Sequence, residues 1–385
     1  MKNIRLIYEN VNDNAFKPYT ERVFIDLNDS EPFNWRKLKK LIGKLKKLRK
    51  YYKIKKTIII NLGNFTFSDK AIYLIFDMML YDIIKNTLFE IYVLGDENKN
   101  SIQHNNIKNT AFYEIGKKNN GLLEKNGFIK SFEKNIKINE NSYKRLITRN
   151  DFSSSFEISS KVITDIGIVL KDFFKDNEWI SDVCEAIGEL IDNISAHTDS
   201  DCLIDVDVCE ATKVVNDDDK VYILEIVIMN ICKERIFDKV KENIKKQKYD
   251  ETNCLYMDIY RAYENHKAFF NKDYREDDFF NITIFQNGVT SRSYDGCSSG
   301  TGLTTLIKKI IGKTTDQYAY VLSGNNRLFF EEDVLLIKDS FIGFNESGNY
   351  MYQPPDKKVI KKSALYFPGT IFRLDLVRSR EESHV

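Results

Sequence analysis

The chain has 385 residues, of which 42% are hydrophobic and 30% charged, a globular balance long enough for two domains or three at roughly 150 residues each. Lys+Arg at 58 and Asp+Glu at 57 leave a net charge of +1, which argues against a generally basic nucleic-acid coat protein and against an acidic tail protein. Five prolines and 17 glycines argue against collagen-like sequence and long disordered linkers.

The first residues carry no apolar run followed by a small-residue cleavage site, and stretches such as Thr57–Ile60 and Ala71–Phe76 fall far short of the ~20 residues of a membrane helix. A soluble, cytoplasmic protein is expected. Its cysteines (184, 202, 209, 232, 254 and 297) form no CxxC pair, so neither zinc nor a disulfide framework is implied.

In chain order, Arg22–Leu27 reads as a strand. Trp35–Lys50 sets Leu38, Leu41, Ile42, Leu45 and Leu48 at helical spacing. Thr57–Leu62 is an apolar strand, Asp69–Lys85 a helix and Glu90–Leu94 a strand, an alternation that predicts a small sheet with helices packed on it. Gly95–Asn109 is a polar loop, 110–150 is ambiguous, and Ser-rich punctuation at Asp151–Glu157 places a junction near 145–160. The expected division is a regulatory unit over 1–150 and a second unit over 151–385.

In the second unit Ser159–Phe174 and Glu178–His197 read as helices, and Leu203–Ala211 and Val221–Asn230 as strands. The charged region 233–278 reads as helical. A glycine-rich segment follows at 287–302, then a helix at Leu303–Ile311 and strands at Tyr318–Ser323 and Thr370–Leu376.

Three separated pieces of this unit fit one nucleotide site. In Glu185–His197, Glu189, Asn193 and His197 share a helical face, with Ile187, Leu190, Ile191 and Ile194 on the buried side. A carboxamide oxygen can ligate Mg²⁺ while a carboxylate one turn away orients or deprotonates a nucleophile; polar residues on a solvated helix face are the plainer alternative. In Phe285–Leu303, Gly288, Gly296, Gly300 and Gly302 precede a helical pattern, which suits close approach to a phosphate at a helix N-terminus; a surface loop is the alternative. The third piece, Phe367–Leu376, is a turn leading into an alternating strand.

In this order the three pieces resemble the GHKL superfamily of histidine kinase-like ATP-binding domains, across residues 155–378. The resemblance implies an α/β (α+β) sandwich with a mixed sheet and helices on one face, binding ATP and Mg²⁺. Glu189 falls at the catalytic or water-orienting Glu, and Asn193 at the Mg²⁺-ligating Asn. Arg292 lies in a lid-like segment, and Gly300, Thr301, Gly302 and Leu303 match the G-x-G-L box. Thr370 matches the closing G-T-x-F strand, whose Thr lies near the adenine. One departure stands out: Asn230 sits where the adenine-reading Asp is expected, with Cys232 and Glu234 in place of two glycines.

Thr57–Ile72 resembles the STAS domain of anti-sigma-factor antagonists over about residues 20–100. Ser68 lies close to that family's phosphorylated Ser, but Ser68 and Asp69 also serve simply as caps for the following helix. The run Arg36–Lys56 has no acidic residue; it reads either as a solvated helix face or as a patch for an acidic partner, nucleic acid or anionic lipid.

The leading expectation is an ATP-binding regulatory protein that acts as a Ser/Thr-type kinase, or as a slow ATPase switch, on a protein partner of STAS-like or sigma-regulatory type. The alternatives are a non-catalytic nucleotide-sensing scaffold and a nucleic-acid-linked defence or repair ATPase. Homodimerisation is implied by the resemblance alone. A histidine autokinase is disfavoured, since none of His104, His197, His266 and His384 lies in a paired-helix segment ahead of the ATP unit.

Overall fold

The computed structural model describes residues 1, 3–13, 16–96, 107–134, 136–154, 157–212, 220–249, 253–289, 303 and 316–379. The fold is α+β. The first part alternates β1 (Arg22–Asp26), α1 (Trp35–Leu48), β2 (Lys56–Asn64), α2 (Lys70–Asn86) and β3 (Phe89–Asp96). The three strands form a parallel sheet in the order β1-β2-β3. Helix α1 starts where the Asn34 side chain accepts the N–H groups of Arg36 and Lys37, an N-cap. Helix α2 starts where Asp69 accepts from Ala71 N–H. Every residue of α2 from Lys70 to Ile84 is buried. A helix apolar on all sides needs cover on all sides, and α2 has it because a second sheet lies beyond it.

The ambiguous stretch after residue 107 folds into α3 (Ala111–Lys118), α4 (Lys125–Phe132), β4 (Ile136–Asn139) and β5 (Ser142–Ile147). The buried Asp77 of α2 fixes the start of α3 by accepting from Ala111 N (3.0 Å) and Phe112 N (2.8 Å). Then come α5 (Arg149–Ser154), α6 (Ile158–Lys171), α7 (Asn177–His197), β6 (Cys202–Thr212) and β7 (Lys220–Asn230). Helices α8 (Asp238–Lys245), α9 (Cys254–His266) and α10 (Glu276–Thr283) occupy the charged region. The chain closes with β8 (Asp316–Phe329), a small pair β9 (Ile337–Lys338) and β10 (Phe341–Ile342), and β11 (Ile360–Ser379). Of the helix expected at Leu303–Ile311, only Leu303 lies within the described residues; it is helical and packs on the core.

The second sheet has six strands in the order β4-β5-β6-β7-β11-β8. A mixed sheet was expected, but all of its described pairings are antiparallel. The excursion between β5 and β6 returns the chain to the sheet end it left, whereas the one from β7 to β8 crosses to the other end, and β11 lies antiparallel between those two strands. Ile147, the last residue of β5, faces Cys202, the first of β6, across the α6–α7 helical pair. Strands β4 and β5 precede residue 150 yet hydrogen-bond into this sheet.

Period-two alternation gives this sheet two buried faces. Ile204, Val206, Leu224, Ile226, Ile228, Phe372 and Leu374 point to the core made with α6, α7, α9 and α10. Leu146, Leu203, Val227, Met229, Leu322 and Ile371 point the other way, into a core shared with α1 and α2. The first unit is thus packed on the sheet of the second, in the layer order sheet, helices, sheet, helices. The outer face of the parallel sheet is partly open: Phe24, in register with Ile59 and Tyr92, is 57% exposed.

The face toward α2 carries three rows across the strands. One is apolar: Leu146, Leu203, Met229, Ile371 and Leu322. The next is Lys144, Asp205, Val227, Arg373 and Tyr320. The third is Ser142, Asp207, Glu225, Asp375 and Tyr318. Three adjacent carboxylates on one face repel and are costly to bury. Lys70, at the start of α2, answers them: its Nζ is 2.8 Å from Asp205 Oδ1 and also pairs with Asp207. Arg373 Nη1 lies 2.6 Å from Asp69 Oδ1, and its Nη2 is 3.6 Å from Glu225. Tyr320 donates to Asp69 at 2.8 Å. Asp69, read in the sequence as a cap, is a cap and also one half of an ion pair between the units, while Ser68 beside it is exposed.

Burial acts to lower the pKa of Lys70, but the charges of Asp205, Asp207 and Glu225 outweigh it and raise the pKa. Burial, reinforced by Asp205, pushes Asp207 up to about 8, and burial with Asp375 pushes Glu225 up to about 7. Asp207 thus holds a proton that the unfolded chain releases near pH 4. The folded state then binds more protons across that window, so stability falls as pH rises toward 8. Urea midpoints should fall between pH 6 and pH 9 in the wild type and change less in Asp207→Asn. At fixed pH, Lys70→Met, which strands the carboxylates, should cost about 3–5 kcal/mol.

Candidate functional site

Two of the three sequence pieces, the helix bearing Glu189 and Asn193 and the strand bearing Thr370, lead to one end of the six-stranded sheet; the glycine-rich piece lies mostly outside the described residues. Helix α7 is fixed at its start by Asp176, which accepts from Trp179 N–H and pairs with Arg378 at 3.1 Å. Its apolar residues Ile187, Leu190, Ile191 and Ile194 are buried. Gly167 of α6 and Gly188 of α7 bring the two helices close; a Cβ on either would already touch its neighbour at 3.5 Å. This packing leaves Glu189 and Asn193 half-buried, one turn apart, on the remaining face. His197 is the last residue of the helix.

Just past α7, Ser200 is buried and its Oγ accepts from Asn230 Nδ2 at 3.0 Å. Asn230 ends β7 and faces both Cys202 of β6 and Thr370 of β11. Its Oδ1 accepts the backbone N–H of Thr370 at 3.2 Å, and its Nδ2 also points to Cys232 Sγ at 3.5 Å. Asn230 therefore holds together the segment just past α7, the end of β7 and the point in β11 where its pairing with β7 begins. Both amide donors are used, and among the described residues the carbonyl oxygen accepts one hydrogen bond of the two it can take. An Asp here would bring charge but no donor for Ser200.

The turn after β7 is built without glycine. Cys232 and Glu234 both avoid positive φ, and Cys232 Sγ donates to Glu234 O at 2.9 Å. Glycine is demanded instead at Gly369, with φ of 104° and a Cβ position only 2.2 Å from Asn230 O. That absent side chain lets β11 close on β7 beside Thr370. Ser323, midway along β8, accepts from Ile236 N–H at 3.3 Å and donates to Gly369 O at 2.8 Å, extending the junction to a fourth strand.

Of the expected site residues, Asn230 and Thr370 are hydrogen-bonded at this end, and Glu189 and Asn193 lie on the helix that leads to it, eight and four residues before its last residue. Arg292, Gly300, Thr301 and Gly302 fall outside the described residues, as do His104 and His384. Ser200 and Ser323 were not singled out from the sequence: single serines beside a helix end and a strand end carry no pattern. Among the described residues no three His, Cys, Asp or Glu side chains gather to hold a metal. A Mg²⁺ ion here would rest on the Asn193 carboxamide together with phosphate oxygens, a sparse protein contribution that is normal for this ion.

His266 is a core residue. Its Nε2 lies 2.7 Å from the carbonyl oxygen of Tyr350, so that nitrogen carries the proton, and Nδ1 accepts from Tyr274 OH at 2.6 Å. Burial lowers its pKa to about 4 and keeps it neutral. The basic run at 36–56 is partly spent within the chain. Lys46, Lys47 and Lys56 donate to the carbonyls of Val11, Phe16 and Thr20 at 3.0, 2.8 and 2.6 Å, and Arg49 pairs with Asp82 at 3.2 Å. Arg36, Lys39, Lys40, Lys50, Lys53 and Lys55 are exposed, Lys55 pairing with Glu90 at 3.1 Å. No helix of the described residues is long and apolar enough to cross a membrane.

No family model matches the chain, and neither a curated protein nor a solved structure matches it.

Gly369→Ala should lose about 1–3 kcal/mol from backbone strain alone, with more from the clash at Asn230. Asn230→Asp, which keeps the acceptor for Thr370 but loses the donor to Ser200, should also lower the denaturation midpoint. Thermal melts of the two variants against wild type check both.

Proposed function

We propose that the chain is an ATP-binding regulatory protein with a histidine kinase-like nucleotide site, serving as a Ser/Thr-type protein kinase or a slow ATPase switch toward a protein partner. The observation that supports it is the convergence described above: a helix bearing Glu189 and Asn193 ends beside Asn230, which is hydrogen-bonded to Thr370. That a helix from one piece leads to the strand junction formed by another, through Asn230, is what supports the reading.

In this reading Asn193 offers a hard oxygen to Mg²⁺, and the ion offsets phosphate charge. Glu189, half-buried at one turn's distance, orients or deprotonates the acceptor hydroxyl or water. Thr370 and Asn230 face the base. The STAS-like first unit and the cytoplasmic setting belong to the same proposal. With that unit packed on the back of the sheet, a change at the nucleotide end has a rigid route to a partner-facing surface.

A second reading, nucleotide sensing without catalysis, is favoured by one observation. Asn230 spends both amide donors on the protein, which suits a site held in one state.

Calorimetric titration with Mg²⁺ and ATP separates the readings. The wild type should bind, Asn193→Ala should lose about ten-fold or more in affinity, and Glu189→Gln should keep binding while losing phosphoryl transfer or hydrolysis. An active Glu189→Gln variant would favour sensing. Absence of ATP binding in the wild type would overturn both.

A further inference from the structure

The three parallel strands of the first sheet all begin at the same end of it, at Arg22, Lys56 and Phe89. The segment that feeds each strand therefore arrives at one surface. Each brings a large apolar side chain and leaves it in water. Tyr19 ahead of β1 is 75% exposed, Tyr52 and Ile54 ahead of β2 are 49% and 52% exposed, and Leu88 ahead of β3 is 57% exposed.

Hydrogen bonds tie these segments to one another. Leu88 N–H donates to Tyr52 O at 3.2 Å, and Ile54 N–H donates to Tyr51 O at 2.9 Å, closing a tight turn over Tyr52 and Lys53. The ammonium of Lys56 reaches the carbonyls of Pro18 and Thr20, at 3.2 and 2.6 Å, on either side of Tyr19. Single exposed apolar residues are ordinary on any protein surface; four gathered from three feeding segments form a patch.

The same end is basic. Lys17, Lys50, Lys53 and Lys125 are exposed. Lys53 Nζ stands 5.5 Å from the centre of the Tyr52 ring, and Lys125 Nζ donates to Thr87 O at 2.9 Å, next to Leu88. Glu21, Glu90 and Glu124 also reach this end. Glu90 answers Lys55 at 3.1 Å, and Glu124 accepts from Asn126 and Gly127 N–H as the cap of α4. Positive charge remains in excess.

Cations set around apolar tips suit a lipid bilayer. The tips enter the acyl boundary while ammonium groups stay level with anionic headgroups. Ile54 and Leu88 decide between polyanions. A nucleic acid offers bases to stack on and phosphates to pair with, but aliphatic side chains gain little from either. An anionic membrane takes both the charge and the hydrocarbon.

We propose that this end of the first unit docks on the surface of a membrane containing anionic lipid, with Tyr52, Ile54 and Leu88 inserted and Lys50, Lys53 and Lys125 on the headgroups. The docking is peripheral, since no helix of the described residues is long and apolar enough to cross a membrane. The surface shares no residue with the sheet end bearing Asn193 and Asn230.

The test is flotation of the full chain with vesicles of phosphatidylcholine alone or mixed with phosphatidylserine. The chain should float with the mixed vesicles, and added KCl should weaken the association. Ile54→Ser combined with Leu88→Ser should weaken it about ten-fold or more. Lys53→Ala combined with Lys125→Ala should weaken binding to the mixed vesicles about ten-fold. Leu336→Ser, at an exposed apolar position of the second unit, should leave it unchanged. Every substituted side chain is exposed, and thermal melts that match wild type establish folding. Unchanged flotation in the folded tip or lysine variants would overturn the proposal, as would an equal loss in Leu336→Ser or absence of flotation with mixed vesicles at low salt. A single-stranded oligonucleotide that binds wild type and the Ile54→Ser, Leu88→Ser variant equally, with neither protein floating, would assign the patch to nucleic acid and overturn lipid.

Discussion

The arrangement of this molecule turns on one electrostatic problem. Asp207, Glu225 and Asp375 stand side by side on three adjacent strands, on a face covered by another layer of protein. Such a row is tolerable only with cations brought to it or protons left on it. Both occur: Lys70 arrives from the start of α2, Arg373 from the neighbouring row, and Asp207 and Glu225 have raised pKa values. Because Lys70 and Asp69 belong to the first unit and their partners to the second, the charge balance also sets how the two units dock. The apolar row of Leu203, Met229 and Ile371 beside it supplies the area; the charges supply the register.

The fold therefore has two ends with different chemistry. At the Asn230–Thr370 end the strands are tied by neutral hydrogen bonds and a required glycine. Toward the acidic row they are tied by ions. The proposed nucleotide site belongs to the first end. Strands β6, β7 and β11 run unbroken between the two, so a shift in one strand's position reaches both.

Much of this was legible in the sequence. The helical spacing of Trp35–Leu48 and of the segment holding Glu189 and Asn193 gave helices close to those found, because a one-sided apolar stripe needs little tertiary help to be recognised. The G-T-x-F turn was recognisable, but its physical cause, the approach of Gly369 to Asn230 O, needed coordinates. The paired faces of the central sheet were less visible. Asp205 and Asp207 recur at period two within LIDVDV, as do Arg373 and Asp375 in FRLDL. Polar residues at alternate positions ordinarily mark a solvent face; here they mark a buried one, because Lys70 comes from far along the chain. The stretch at 110–150 was ambiguous for a related reason: its helix α3 is started by Asp77, a carboxylate from another helix. The excursion at 330–359, held by Tyr350 and Asn345, has no periodic pattern at all.

The most direct test of the central claim is a crystal structure of the full chain with Mg²⁺ and a non-hydrolysable ATP analogue. The account predicts the base beside Asn230 and Thr370 and the metal at Asn193. A nucleotide bound elsewhere, or a structure under saturating analogue with that sheet end still free of it, would contradict the account.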